Sequence, residues 1–187
     1  MSSLRAPVAL EALVAVANTR HGPEAKRPLA PGPAVRIAGG LDRLRDPREA
    51  ARFLEALGVA VPPGAPAPED RRRLKMVRDA VRALAEGDEG GHRRRTHRLV
   101  GPVTLRIESG RLRAAAGGWP GFVDGLAVTL LELLPHADRL KVCENPACGW
   151  VFIDRTRNSS QVWCRDQLCA DRLRIRRHRR ASRTKRH

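Results

Sequence analysis

Every cysteine of the chain lies in one stretch, CENPACGWVFIDRTRNSSQVWCRDQLC, from Cys143 to Cys169. They fall as two C-x4-C pairs, Cys143 with Cys148 and Cys164 with Cys169, with fifteen residues between the pairs. Thiolates are soft ligands, and four of them close a tetrahedron around one zinc ion without redox chemistry. Within the first pair Glu-Asn-Pro-Ala is a turn sequence, and Gly149 follows it, where a positive φ is easily accepted. WVFI (Trp150 to Ile153) reads as an apolar strand, TRNSS (Thr156 to Ser160) as the return turn, and Trp163 and Leu168 would shield the sulfurs. Gaps of four residues are wider than the commoner two, so disulfides and an iron–sulfur or redox site remain alternatives. Four protein ligands leave no open coordination position, so the expected Zn2+ is single and structural. A segment of about 45 residues buries too little core to fold alone, and a metal can supply on the order of 10 kcal/mol or more.

Beyond the last cysteine the chain is almost purely basic. From Arg172 to His187 there are eight arginines, one lysine and no acid. Set on a helix, Leu168 and Ile175 share a face toward the cysteines, while Arg174, Arg176, Arg177, Arg179 and Arg180 spread around the rest. A helix charged nearly all round is poorly stable alone, so its end should fray until phosphates neutralise it. The arginine fork suits phosphate and the guanine edge alike. The plainer alternative is a disordered tail that aids solubility. The whole 187-residue chain carries 36 Lys+Arg against 20 Asp+Glu, a net charge of +16, and a pI near 11.5. The last 47 residues hold +9 of that charge. Such an excess points to a polyanion, nucleic acid first and an anionic membrane surface second.

Cys143, Asn145, Pro146, Cys148, Trp150, Phe152, Asp154, Arg157, Asn158, Ser160, Trp163, Cys164, Cys169, Arg172, Arg176, Arg177 and His178 together form a pattern. It resembles the bacterial CGNR-type zinc finger. That family joins the finger to an N-terminal helical domain of the ABATE type and is described as stress-induced transcription regulators. The N-terminal likeness rests on Asn18-Thr19 after the first helix, the ESGRLRAAA hairpin and the long helix before Cys143. The resemblance implies zinc on the four cysteines and DNA as the partner. One departure stands out: Cys169-Ala170-Asp171-Arg172 replaces the name-giving Cys-Gly-Asn-Arg. Alanine fits if position 170 is helical, and Asp171 sets a negative charge beside the thiolates and close to any phosphate.

The elements that must position this module read as mostly helical. A first helix is expected from Pro7 to Asn18, a second after Asp46 with Pro47 at its opening, and a third from Pro68 to Glu86. Arg71, Arg72, Arg73, Lys75 and Arg78 are expected at or near solvent, as a solvated face first and a second nucleic-acid contact only after that. VTLRI and RLRAA read as a β-hairpin, and Pro120 to Leu134 as the core helix, stopped by Pro135. The fold class is therefore α+β: a helical, ABATE-like domain over 1–138 with a small hairpin, then a zinc finger over 139–187 ending in a basic helix. APVALEALVAVA near the start resembles a leader, but Glu11 interrupts it and its apolar residues keep helical spacing. A cytoplasmic, nucleoid-associated protein without membrane contact is the expectation. No Ser–His–Asp spacing, Gly-rich phosphate loop or carboxylate pair stands out, so enzymatic activity is not expected. The leading function is a DNA-binding transcription regulator, with Arg172, Arg174, Arg176, Arg177, Arg179 and Arg180 on the duplex and Arg155 and Arg157 assisting. The alternative is RNA or nonspecific polyanion binding. The N-terminal domain would sense a small-molecule effector or form a homodimer.

Overall fold

Local signals set most of the helices. The computed structural model describes residues 8–20, 42–88, 104–108, 110–145, 148–164, 169–171 and 174–175. Helix α1 spans Val8–Ala17, and Leu13, Val16 and Ala17 are fully buried. Helix α2, Pro47–Ala56, begins where expected: the Asp46 carboxylate accepts the backbone N–H groups of Arg48 at 2.7 Å and Glu49 at 3.0 Å. Those two bonds hold the carboxyl below its usual range. Helix α3 spans Pro68–Ala85 and turns Leu74, Val77, Ala80 and Val81 into the core. Asp70 reaches back to the Ala67 N–H at 3.2 Å, the half of a capping box that alanine at the cap position leaves available.

Strands β1, Leu105–Glu108, and β2, Arg111–Ala114, form the expected antiparallel hairpin, with Ile107 opposite Leu112. Helix α4, Gly118–Leu133, is the core helix and buries Trp119, Val123, Leu126, Leu130 and Leu133. It ends just ahead of Pro135, which lies in a short 3₁₀ segment, Leu134–Arg139. That segment delivers the chain to β3, Leu140–Val142, which pairs antiparallel with β4, Val151–Ile153. Strand β4 answers to the WVFI reading; β3 was not expected.

Helices α1, α3 and α4 pack on one another, and β3 and β4 lean against α3 and α1. The buried cluster is continuous from Leu13, Leu74 and Leu130 to Trp150, Val151, Cys143, Cys148 and Cys169. The cysteine lobe therefore shares its core with the helices, across the 138/139 boundary drawn from the sequence.

Arg78 departs from the sequence reading. It is 4% exposed and pairs with Asp42 at 2.6 Å and Asp79 at 2.9 Å. A buried guanidinium needs such partners, because an uncompensated charge out of water costs several kcal/mol. Arg73 likewise pairs with Asp124, and Arg72 with Glu69. Much of this basic face is thus neutralised within the chain. The run Arg93-Arg94-Arg95 lies outside the described residues.

Candidate metal centre

The first pair of cysteines sits on the β3–β4 connection. Strand β3 runs directly into Cys143, whose N–H donates to the Trp150 carbonyl at 2.8 Å. The Cys148 N–H then donates to the Asn145 carbonyl at 2.8 Å, tightening the turn. Gly149 leaves it at φ 57°, the left-handed conformation that glycine tolerates best. Glu144 N–H bonds to the Val162 carbonyl at 3.0 Å and so brings the second cysteine-bearing segment alongside. The return loop is organised by Asp154. Its carboxylate, 2% exposed, accepts Lys141 Nζ at 2.7 Å, Thr156 N at 2.8 Å, Thr156 Oγ1 at 2.5 Å and Gln161 N at 2.9 Å. Burial alone would push this carboxyl up; the four donors outweigh it and hold it well below the ordinary range.

The four sulfurs converge. Each lies within 4.8 Å of the others. Cys148 Sγ and Cys164 Sγ are 3.6 Å apart, as are Cys164 Sγ and Cys169 Sγ. A disulfide holds its sulfurs at about 2.05 Å, so these are thiols, and all four cysteines are free. The edge of a tetrahedron with Zn–S bonds of about 2.3 Å measures about 3.8 Å, which the observed spacing approaches. Burial is also right for a structural site: Cys143, Cys148 and Cys169 are each at most 5% exposed, and Cys164 is partly covered.

The thiols' own acidity shows what the cluster needs. Hydrogen bonds from Cys148 and Cys164 stabilise a thiolate on Cys143 and lower it. That thiolate, as the partner of their bonds, raises Cys148 and Cys164 in turn. Cys169 is raised first by burial. Crowding and burial thus oppose the build-up of negative charge on several of these sulfurs at once. A divalent cation at their centre reverses that balance and displaces the protons.

Two contacts tie this centre to the helices. Asn18, buried just after α1, acts as a clamp on β4. Its Oδ1 accepts the Val151 N–H at 2.8 Å, and its Nδ2 donates to the Val151 carbonyl at 2.8 Å and to the Val14 carbonyl at 2.9 Å. Arg82 of α3 gathers three carbonyls with Nη1: Gly149 at 3.1 Å, Arg20 at 3.1 Å and Ala17 at 3.4 Å. In the sequence Asn18 is visible only as part of a family likeness, and Arg82 gives no signal at all.

The expected nucleic-acid residues fare unevenly. Arg155 is exposed but ion-paired with Glu11 of α1. Arg157 is exposed on the return loop. Residues 169–171 and 174–175 are helical, so Ala170 sits where alanine needs no special backbone. Exposed Asp171 pairs with Arg174 at 3.2 Å, and Ile175 is 50% exposed instead of packing fully on the cluster. Arg172, Arg176, Arg177, Arg179 and Arg180 lie outside the described residues, as does Leu168.

No helix among the described residues is long and apolar enough to cross a membrane. A search of curated proteins finds no match to this chain. Residues 139–182 match the family model of the CGNR zinc finger. With four thiols at tetrahedral spacing inside that match, the cluster is the site of one structural zinc ion.

Proposed function

We propose that the chain is a DNA-binding transcription regulator, in which the zinc centre fixes the start of an arginine-rich C-terminal helix and the helical domain acts as its sensor. The carrying observation is the placement of charge. Cys169, a buried member of the sulfur cluster, opens the helical turn from which the run of eight arginines and one lysine departs. A rigid metal site at the root of a polycation sets the direction from which it meets a phosphate backbone. Arg157, exposed on the return loop, and Arg155, which would exchange Glu11 for phosphate, are read as assisting contacts. Asp171 tempers Arg174, which favours a binder held mainly by Arg172, Arg176, Arg177, Arg179 and Arg180. The helical part is read as an ABATE-like domain that takes an effector, and the protein as cytoplasmic; no catalytic role is assigned.

The test is the salt dependence of duplex binding, followed by fluorescence anisotropy with the full-length, reduced, zinc-loaded protein. With about five phosphates neutralised, log K should fall against log salt with a slope of roughly −4 to −5. Replacing Arg176, Arg177, Arg179 and Arg180 together by Gln should flatten the slope by about 3 to 4. Unchanged affinity and slope in that variant would end the reading. Structured RNA as competitor at equal salt separates the alternative, since a protein that prefers RNA gives up the duplex first.

A further inference from the structure

The β1–β2 hairpin carries a surface that nothing in the nucleic-acid reading uses. Among the described residues its sheet has two strands; β2 packs against α4, which leaves β1 as the outer strand of the ribbon. The Ala115 N–H donates to the Thr104 carbonyl at 2.9 Å. That bond fixes the phase of the ladder. Antiparallel pairs alternate, so Leu105–Ala114 and Ile107–Leu112 are the pairs without mutual hydrogen bonds. The backbone N–H and C=O of Leu105 and Ile107 therefore point away from β2, to the open edge of β1. The same residues are apolar and uncovered: Ile107 is 77% exposed, Leu112 49% and Leu105 38%.

The opposite face of β1 says what fits this edge. Arg106 and Glu108 flank Ile107 and bridge one another at 3.1 Å. Arg106 also lies across from Arg113 of β2, an unfavourable like-charge neighbour. A second β1 laid antiparallel about a two-fold axis through Ile107 sets Arg106 opposite Glu108 of the copy, and Glu108 opposite its Arg106. Ile107 then exchanges both backbone hydrogen bonds with its counterpart, in the phase the hairpin leaves open. The apolar faces of the two hairpins join on one side of the new four-stranded sheet. Strand β2 lacks this property, because pairing about Leu112 would set Arg111 opposite Arg113. Only one edge of the hairpin is self-complementary in charge.

We propose that the chain forms a two-fold homodimer through the β1 edge, with Ile107 on the axis and reciprocal Arg106–Glu108 pairs beside it. Charge complementarity selects a second copy of this chain over an unrelated strand, and the dimer is independent of nucleic acid.

The test is sedimentation of the full-length, zinc-loaded chain across a concentration series, with no nucleic acid present. Wild type should associate to a dimer. Arg106→Glu sets acid against acid and Glu108→Arg sets base against base, so each alone should weaken association about tenfold or more. Both positions are exposed, and unchanged thermal unfolding of each variant confirms an intact fold. An equimolar mixture of the two single variants should recover the dimer, because each strand then faces its charge complement. The double exchange Arg106→Glu with Glu108→Arg should recover it as well. A wild type that stays monomeric throughout, single variants that associate as wild type does, or a mixture that fails to recover would each overturn the proposal.

Discussion

Asn18 is one of the residues through which the helical lobe holds the metal-binding lobe, beside Arg82 and the shared core, and its replacement by alanine makes a sharp test. The side chain is fully buried and satisfies both backbone groups of Val151, itself fully buried, together with the Val14 carbonyl. Alanine leaves the Val151 N–H and C=O without their partner and out of reach of solvent. Each such group costs about 1–3 kcal/mol. The Val14 carbonyl loses less, because it also accepts the Asn18 backbone N–H at 3.1 Å. The sum is about 4 kcal/mol, which for a chain of this size lowers Tm by roughly 8–16 °C. Asn18→Asp should do no better: a carboxylate can accept from Val151 N–H but faces two carbonyls with no proton to offer. The exposed Asn158, whose Oδ1 accepts the Ser160 hydroxyl at 2.7 Å, is the control, and Asn158→Ala should change stability by less than about 0.5 kcal/mol. Circular dichroism melts of reduced, zinc-loaded protein give all three values. A loss under about 1 kcal/mol for Asn18→Ala would refute the clamp.

The same geometry yields three further expected outcomes. Asp154→Asn leaves Lys141 without its buried counter-charge and should cost about 3 kcal/mol at pH 7. Because folding depresses the Asp154 carboxyl, its contribution is present above the ordinary aspartate range and is lost as pH falls below about 4 toward the folded value; zinc-loaded Asp154→Asn should therefore lose less stability than wild type in acid titrations. Gly121→Ala should destabilise by about 2 kcal/mol or more in the same melts, since a Cβ there would lie 1.8 Å from the Ala116 carbonyl oxygen. A strong chelator under reducing conditions should lower the melting temperature of the helical signal as well as that of the cysteine lobe, because both share one core; a helical transition indifferent to chelation would count against that.

The local parts of the fold were legible because their causes are local. Asp46-Pro47-Arg48-Glu49 carries its own cap, proline and acid, and α2 begins there. The hairpin and α4 follow from alternation and from a long apolar stripe bounded by Pro135. Strand β3 is different: three residues, Leu-Lys-Val, carry no usable period, and their pairing depends on β4. Arg78 reads wrongly for a related reason. Its neighbours on α3 look like one basic face, and of the two acids that pair with it, Asp79 is adjacent but Asp42 lies 36 residues earlier. Asn18 and Val151 are separated by 133 residues, and a side chain that completes a strand's hydrogen bonds leaves no mark on the sequence around it. At the metal centre the ligands themselves are plain, since four cysteines in one segment have few other uses. What fixes them is less so: only Asp154 shows, as part of a pattern, and its four donors come from residues that look like ordinary loop.

The most direct measurement is metal analysis of the reduced, folded, full-length chain, paired with X-ray absorption at the zinc edge. The expected result is one zinc per chain with four sulfur neighbours at about 2.3 Å, and none after thiol alkylation of the unfolded protein. Folded, reduced protein without zinc, or zinc with oxygen or nitrogen in place of one of the sulfurs, would contradict a single structural ion held by Cys143, Cys148, Cys164 and Cys169.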